Sequence, residues 1–255
     1  MFVSFFPNPR IFLWSAAVWT AIAMIVWYSI GEQLGTALGF LQPAQGTSPI
    51  IGVSVFWSAS FLWFYLYYWA IVAIFAAFWM IYAPHPWALW SILGSALIVF
   101  ATYYQVQVSV AINDWYGPFY DMVQAALSKS RPVTLSEFYS GLLSFAGIAS
   151  VAVVIAVLTR FFVSHYIFRW RTAMNDHYMA NWGTVRAIEG ASQRVQDDTM
   201  RFAATMEGLG VNFIDAVMTL IAFLPVLLRL SANVTELPLI GPIPHSLVIA
   251  GILWS

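Results

Sequence analysis

Long uncharged apolar stretches alternate with short polar ones along most of the 255-residue chain. Residues 11–30, 56–82, 87–112 and 138–158 contain no Asp, Glu, Lys or Arg. A helix of roughly 20 apolar residues crosses the hydrocarbon core of a bilayer, and lipid requires its backbone hydrogen bonds to close internally. The pattern therefore predicts an all-α integral membrane protein, with the fourth span extending to residue 160.

Two further apolar stretches complete the predicted set of spans. Residues 211–228 form a fifth stretch that includes Asp215 and Pro225, and residues 247–255 begin a sixth. Nine residues are too few to cross a bilayer. We therefore interpret residues 1–255 as one partial transmembrane domain and expect the chain to continue.

The composition excludes several classes of partner and of chemical site. Hydrophobic residues make up 61% of the chain and charged residues 8%, against about 45–50% and about 25% in soluble domains. A formal net charge of −1 argues against a nucleic-acid partner, which needs a basic surface. The absence of cysteine excludes disulfides, thiolate nucleophiles and cysteine zinc sites within this sequence.

The distribution of Lys and Arg predicts the orientation in the membrane. Seven lie at Arg10 or within residues 159–210, and the other three are Lys129, Arg131 and Arg229. Basic residues favour the cytoplasmic side, so the amino terminus and the long polar loop are expected there. The first apolar stretch exceeds a signal-peptide core of 7–15 residues, which favours a retained helix.

The loop at 161–210 is predicted to be a cytoplasmic helical extension with a turn near 183–190. Val195, Thr199 and Phe202 recur at helical spacing, which indicates an amphipathic helix. Arg194, Asp197, Asp198 and Arg201 lie on its other side at distances suited to ion pairing.

Other features are assigned structural roles. Gly117-Pro118 predicts a turn in the connector 113–137. The 13 aromatic residues in 56–82 indicate packing against lipid and helices, with a wall for peptide side chains as the alternative. No metal site is expected, because the histidines have no close ligand spacing; they are His85, His165, His177 and His245.

Several long stretches of the chain are distinctive, namely MFVSFFPNPR, APHPWALWSILG, FFVSHYIFRWRTAMNDHYMANW, IEGASQRVQDDTMRFA and NFIDAVMTLIAFLPVL. Together they resemble the BacA/SbmA family of bacterial inner-membrane peptide transporters. Trp170-Arg171, Trp182 and the SQRVQDD segment at 192–198 also resemble the motifs of peroxisomal-type ABC transporter membrane domains. The resemblance implies a dimeric, ABC-exporter-like membrane domain with additional amino-terminal helices.

The same motifs imply a cytoplasmic coupling element between long helices. Its predicted members are Arg171, Trp182, Gln193 and Arg194. Gly190-Ala191-Ser192 replaces the Asn-Pro-Asp that opens the wider motif, which leaves a structural role for this segment.

The energy source is predicted from what the chain lacks and from the resemblance. A phosphate-binding loop needs G-x-x-x-x-G-K-[ST], and the single lysine, Lys129, has no such context. We therefore expect no ATP to be bound by this chain and no cofactor. The resemblance implies proton coupling, with Glu207 matching a glutamate of the family's acidic ladder.

Further polar residues accompany Glu207. Asp215 lies eight positions later, and Asn212 and Thr219 flank it as expected cavity-lining residues. Ionisable groups in membrane spans are costly and mark function. Glu189, Asp197 and Asp198 are further proton-coupling candidates, with salt-bridge roles as the alternative for the two aspartates.

The resemblance implies a proton-driven importer of diverse peptides, including cationic antimicrobial peptides and peptide antibiotics, that works as a homodimer in the bacterial inner membrane. One alternative is an ABC-type transporter of lipid or very-long-chain fatty acid with its nucleotide-binding domain outside this chain. Another is a non-transporting protein of envelope or lipid A modification. No nucleophile–base pair is evident, so we expect no enzyme.

Overall fold

α-Helices dominate the structure, a computed structural model that describes residues 1–40, 50–231, 236–237, 241–242, 248–249 and 251. The α-helices in the described part of the chain include α1 Pro9–Ala37, α2 Ala59–Tyr82, α3 Ser95–Leu127, α4 Leu135–Ala180, α5 Trp182–Val185, α6 Ala191–Thr205 and α7 Val211–Ser231. Short 3-10 turns lie at Phe2–Ser4 and Val53–Trp57, and π turns at Leu89–Gly94 and Met206–Gly210. Strands β1 Glu236–Leu237 and β2 Gly241–Pro242 pair antiparallel.

Five helical stretches in the described part of the chain are long and apolar enough to cross a membrane. They are Pro9–Ala37, Ala59–Tyr82, Leu89–Leu127, Leu135–Ala180 and Ala191–Leu224. The prediction of an all-α membrane protein is confirmed. The predicted sixth span at 247–255 and His245 lie largely or wholly outside the described residues.

The chain divides into two compact units. Unit 1 consists of Met1–Ile98 and Arg160–Thr205, and unit 2 consists of Val99–Thr159 and Met206–Ser255. In unit 1 the core is aromatic, with Phe5, Phe56 and Trp79 almost fully buried. In unit 2 the buried residues include Trp115 and Ile148.

Aromatic side chains of α2 hold α1 through hydrogen bonds to its backbone. The Trp63 indole N–H donates to the Gly31 carbonyl at 2.9 Å, and the Tyr67 hydroxyl donates to the Ala23 carbonyl at 2.6 Å. In return, the Trp19 indole of α1 donates to the Ile71 carbonyl at 3.2 Å. Polar groups need partners in a bilayer, so these bonds let aromatic residues pack closely without unsatisfied donors.

The turn predicted at Gly117-Pro118 is wrong, because α3 continues through Pro118 to Leu127. Proline removes one backbone donor, which leaves the Asp114 carbonyl without its helical partner. Asp114 is exposed, so water can hydrate that carbonyl. Neighbouring side chains hold the helix in place: Trp115 and Phe119 stack at 4.4 Å, and the Trp115 indole donates to the Gly141 carbonyl at 2.9 Å.

Gly35→Ala is expected to destabilise the contact between α1 and α2. A Cβ atom at Gly35 would lie 2.9 Å from the Trp63 ring, which is buried and hydrogen-bonded. Overpacking of this kind costs about 1–3 kcal/mol in the free energy of unfolding. Denaturant titration in detergent measures it, with Gly183→Ala of α5 as the helical control, because nothing beyond its chain neighbours and its own helix backbone lies within 4 Å of that Cβ position. Equal stability of the two variants would contradict the prediction.

Candidate functional site

The start of α7 carries a short series of polar residues on an otherwise apolar helix. Glu207 lies in the π turn Met206–Gly210, and Asn212, Asp215 and Thr219 follow in α7. Glu207, Asn212 and Thr219 are exposed, and Asp215 is half-buried. We call these four residues the polar stripe.

The π turn changes how the polar stripe is aligned. In a regular α-helix, residues eight apart are offset around the axis, whereas residues seven apart lie on one face. A π turn spans i to i+5 and so accommodates one extra residue. Because Glu207 lies within this turn, it is brought closer to the face of Asp215 than eight regular α-helical positions would bring it. Turns of this kind often occur at functional sites.

The exposure of the polar stripe suits contact with water or protein better than contact with lipid. Ionisable side chains in spanning helices are expensive in hydrocarbon and normally face a cavity or a partner. Phe213 and Val217 of the same helix are also exposed, so α7 presents apolar surface beside the stripe. The stripe can therefore line an aqueous path while its neighbours contact lipid.

The remaining acidic candidates lie in unit 1. Glu189 is exposed beside Gly190, which has φ of +70° and accepts the first α6 hydrogen bond, from the Arg194 N–H at 3.0 Å. Glycine tolerates this left-handed conformation, which explains a glycine at the head of the motif. Asp197 is half-buried and Asp198 is exposed.

The ion pairs predicted on α6 do not form in this structure, so that prediction is wrong. Among residues 1–40 and 50–231, Arg131 forms a salt bridge with Glu137, with an N–O distance of 2.6 Å. Arg194, Asp197 and Arg201 form no salt bridge in this part of the chain. Exposed pairs on a helix contribute only a few tenths of a kcal/mol. Solvation competes well with them, so sequence spacing alone does not ensure that they form.

The predicted coupling residues lie mostly at the surface. Arg171, Gln193 and Arg194 are exposed, and Trp182 is half-buried at the start of α5. The residue that the structure places at the centre of contacts is instead Trp170, which is 4% exposed. In the Trp170-Arg171 motif the tryptophan ring is therefore buried, whereas the arginine guanidinium is exposed.

Trp170 joins three segments of unit 1. Its ring stacks on Phe5 at 5.2 Å and meets Phe202 of α6 edge-on at 5.0 Å. Phe2 and Phe6 contact it at 5.5 and 5.4 Å. We call these five residues the aromatic clamp. The sequence signal for it was the MFVSFF start together with Trp170, but no spacing rule connects residues so far apart.

His85 connects the loop between α2 and α3 to the amino-terminal turn. The Trp87 backbone N–H donates to His85 Nδ1 at 3.2 Å, and the imidazole also hydrogen-bonds with the Val3 backbone. Burial lowers the pKa of His85 below its ordinary value, against an opposing effect of the Val3 hydrogen bond. No group of three or more metal-binding side chains occurs among the described residues.

The lowered pKa of His85 predicts that acid weakens unit 1. The unfolded imidazole binds a proton at about pH 6.5, whereas the folded one binds it only at lower pH. The His85 contribution is therefore full above about pH 6.5 and is lost as the pH falls toward the folded value. In His85→Gln the unfolding midpoint should depend less on pH between about pH 8 and pH 5. His177→Gln, at an exposed position, should keep the pH dependence of the wild type. A wild-type slope in His85→Gln would contradict this.

Most of the chain matches a known protein family. The model of the SbmA/BacA-like family matches residues 84–255, which include the WR motif, α6 and the polar stripe. The chain belongs to the SbmA/BacA-like family. The expected family is thus confirmed, and the chain is a multi-pass membrane protein of a transporter family.

A curated relative widens the comparison. The chain is 24% identical over 184 residues to an "Uncharacterized ABC transporter ATP-binding protein" of Haemophilus influenzae. The aligned part covers 67% of this chain and 30% of the relative. This SbmA/BacA-like chain therefore spans about a third of the relative's length.

Proposed function

We propose that this chain is the membrane domain of a proton-driven importer of diverse peptides. The substrates are cationic antimicrobial peptides and peptide antibiotics, carried across the bacterial inner membrane. The protein works as a homodimer with an ABC-exporter-like arrangement and a cytoplasmic amino terminus. Membership of a transporter family supports transport, and the seven Lys and Arg at position 10 and in 159–210 support the orientation.

The observation that carries the proposal is the polar stripe beside the π turn. A single copy leaves Glu207, Asn212 and Thr219 exposed on a helix that is apolar enough to cross a membrane. In a homodimer the stripes of two copies line one water-filled cavity, which removes the cost of placing carboxyl groups in lipid. A carboxyl group in such a cavity can bind a proton on one side and release it on the other.

The charge of the stripe favours a cationic substrate. Glu207 and Asp215 are its ionisable members, and both are acidic. A cavity lined by one sign of charge concentrates ligands of the opposite sign without reading their sequence. This accounts for a wide range of peptides sharing only positive charge.

Peptide uptake into proteoliposomes tests the proposal. The whole protein is reconstituted, and a fluorescent cationic peptide is supplied with or without an inwardly directed proton gradient. We expect the initial rate to rise several-fold with the gradient and to return to the basal rate when an ionophore collapses it. An initial uptake rate that does not change with the proton gradient would contradict proton coupling. The absence of uptake under either condition would contradict peptide transport.

A second candidate is an ATP-driven ABC-type transporter of lipid or fatty acid. The relative from Haemophilus influenzae is named an ATP-binding protein, and the chain covers 30% of it. ATP hydrolysis by the purified whole protein distinguishes the two functions. The proton-driven proposal expects uptake that is independent of ATP, and stimulation by ATP would replace it with the second candidate.

A further inference from the structure

The first seven residues are a folded part of unit 1 rather than a terminal tail. Residues 4–7 are buried, with Phe5 at 0% exposure. The backbone N–H groups of Phe5 and Phe6 donate to the Phe2 carbonyl at 3.2 and 2.9 Å. The Ser4 hydroxyl donates to the Met1 carbonyl at 2.7 Å. These bonds form a compact turn that satisfies its own polar groups.

This turn has a defined direction relative to α1. Asn8 adopts a left-handed conformation with φ of 39° and ψ of 67°, and α1 begins at Pro9. Asparagine tolerates this region better than most residues, and proline is favoured at the start of a helix. The Asn8-Pro9 junction therefore makes the buried turn an extension of α1 with a fixed bend. The α1–α2 hydrogen bonds described above extend this connection to α2.

The turn contacts α6 through the aromatic clamp. Phe2 meets Phe202 edge-on at 5.7 Å, and Trp170 meets both rings, at 5.5 and 5.0 Å. The Trp170 indole N–H also donates to the Met1 carbonyl at 3.4 Å. The indole of α4 thus lies against the amino-terminal turn and the ring of α6.

The helix α6 depends on these contacts for its position. It forms the first 15 residues of the helical stretch Ala191–Leu224, and helices in proteins are held mainly by tertiary packing of their buried face. Its buried residues are Ala191, Thr199 and Ala203, which are small, and its charged residues form no salt bridge with one another among the described residues. Phe202 is therefore its largest tertiary anchor in the described part of the chain.

We propose that residues 1–7 are a positioning segment that fixes the direction of α6 and makes α6 move together with α1 and α2 during transport. The proposal rests on the transport function proposed above. Separating the segment from α6 would break the Phe2–Phe202 contact and the Trp170–Phe202 contact beside it, and burial of such rings is among the largest stabilising effects in a core. The aromatic clamp therefore stays closed throughout the cycle.

A cross-link between the segment and α6 tests whether they stay together. The sequence has no cysteine, so Phe2→Cys with Phe202→Cys introduces a defined pair of thiols. The double variant lacks two clamp rings, so its uptake before reaction is expected to be lower than that of the wild type but measurable. After reaction with a short bifunctional thiol reagent in proteoliposomes, uptake should stay within about twofold of the unreacted double variant. Loss of uptake on cross-linking, in a variant that transports before it, would overturn the proposal and leave the transport function intact.

A distance measurement gives a result that does not depend on transport. Spin labels at Val3→Cys and Met200→Cys occupy exposed positions on the segment and on α6. Their distance distribution should keep a single peak at about pH 7.5 and pH 5.5, with or without a cationic peptide. A second, longer distance under any condition would overturn the proposal even if peptide uptake itself were absent.

A milder substitution separates positioning from stability. Phe202→Leu keeps an apolar side chain but removes the ring contacts with Phe2 and Trp170, and we expect roughly a tenfold lower maximal uptake rate with an unchanged KM. Met200→Leu, on the exposed side of α6, is the matched control and should transport normally. An unchanged uptake rate in Phe202→Leu, or a loss that the thermal midpoint fully accounts for, would reduce the clamp to a structural role.

Discussion

Glu207→Gln is expected to abolish the stimulation of peptide uptake by a proton gradient. The amide keeps the size and polarity of the side chain but cannot bind and release a proton. We expect the gradient-driven initial rate to fall at least about tenfold, because an ionisable group in a spanning helix is retained for function rather than stability. Fluorescent-peptide uptake into proteoliposomes, with and without an imposed gradient, measures this.

A matched carboxyl elsewhere in the chain provides the control for that result. Glu32 is an exposed glutamate of α1, and Glu32→Gln removes the same charge without touching the polar stripe. It should retain gradient-driven uptake within about twofold. The role given to Glu207 would fail if both variants kept the wild-type response, or if both lost it equally.

Trp170→Ala is expected to be the most destabilising single substitution in unit 1. The indole is 4% exposed and contacts Phe2, Phe5, Phe6 and Phe202. Truncation of a buried tryptophan costs about 3–5 kcal/mol in the free energy of unfolding, since a cavity replaces those contacts. Denaturant titration of the purified protein in detergent measures the loss.

The chain offers a tryptophan in the opposite environment as the control. Trp14 of α1 is 76% exposed, and Trp14→Ala should change the free energy of unfolding by no more than about 0.5 kcal/mol. A Trp170→Ala variant as stable as Trp14→Ala would show that the aromatic clamp contributes little.

Sequence reasoning located the helices well because the bilayer imposes a simple rule. The apolar stretch 11–30 lies within α1 and most of 56–82 lies within α2, although α1 continues seven residues further, to Ala37. The helix of the third span continues to Leu127, beyond the charge-free stretch that ends at Ile112 and through the local turn signal of Gly117-Pro118. Packing of Trp115 and Phe119 outweighed that signal, and such packing is invisible to local patterns.

The candidate site was predicted in its members but not in its geometry. Asp215 stands out within the apolar stretch 211–228, and Glu207 was recognised through the family resemblance. Their alignment depends on the π turn at Met206–Gly210, for which no residue pattern is diagnostic. The ion pairs expected on α6 did not form, since helical spacing permits a contact without making it favourable against water.

The sequence by itself determined that this protein crosses a membrane, that its fold is helical and that it belongs to its family. Those properties follow from apolar length and from motifs, which are local in the chain. The tertiary structure alone decided that residues 1–7 pack against Trp170 and Phe202, and that Trp63 hydrogen-bonds across to Gly31. These contacts join residues far apart in sequence, and their selection depends on the shape and close packing of complementary side chains rather than on any periodicity.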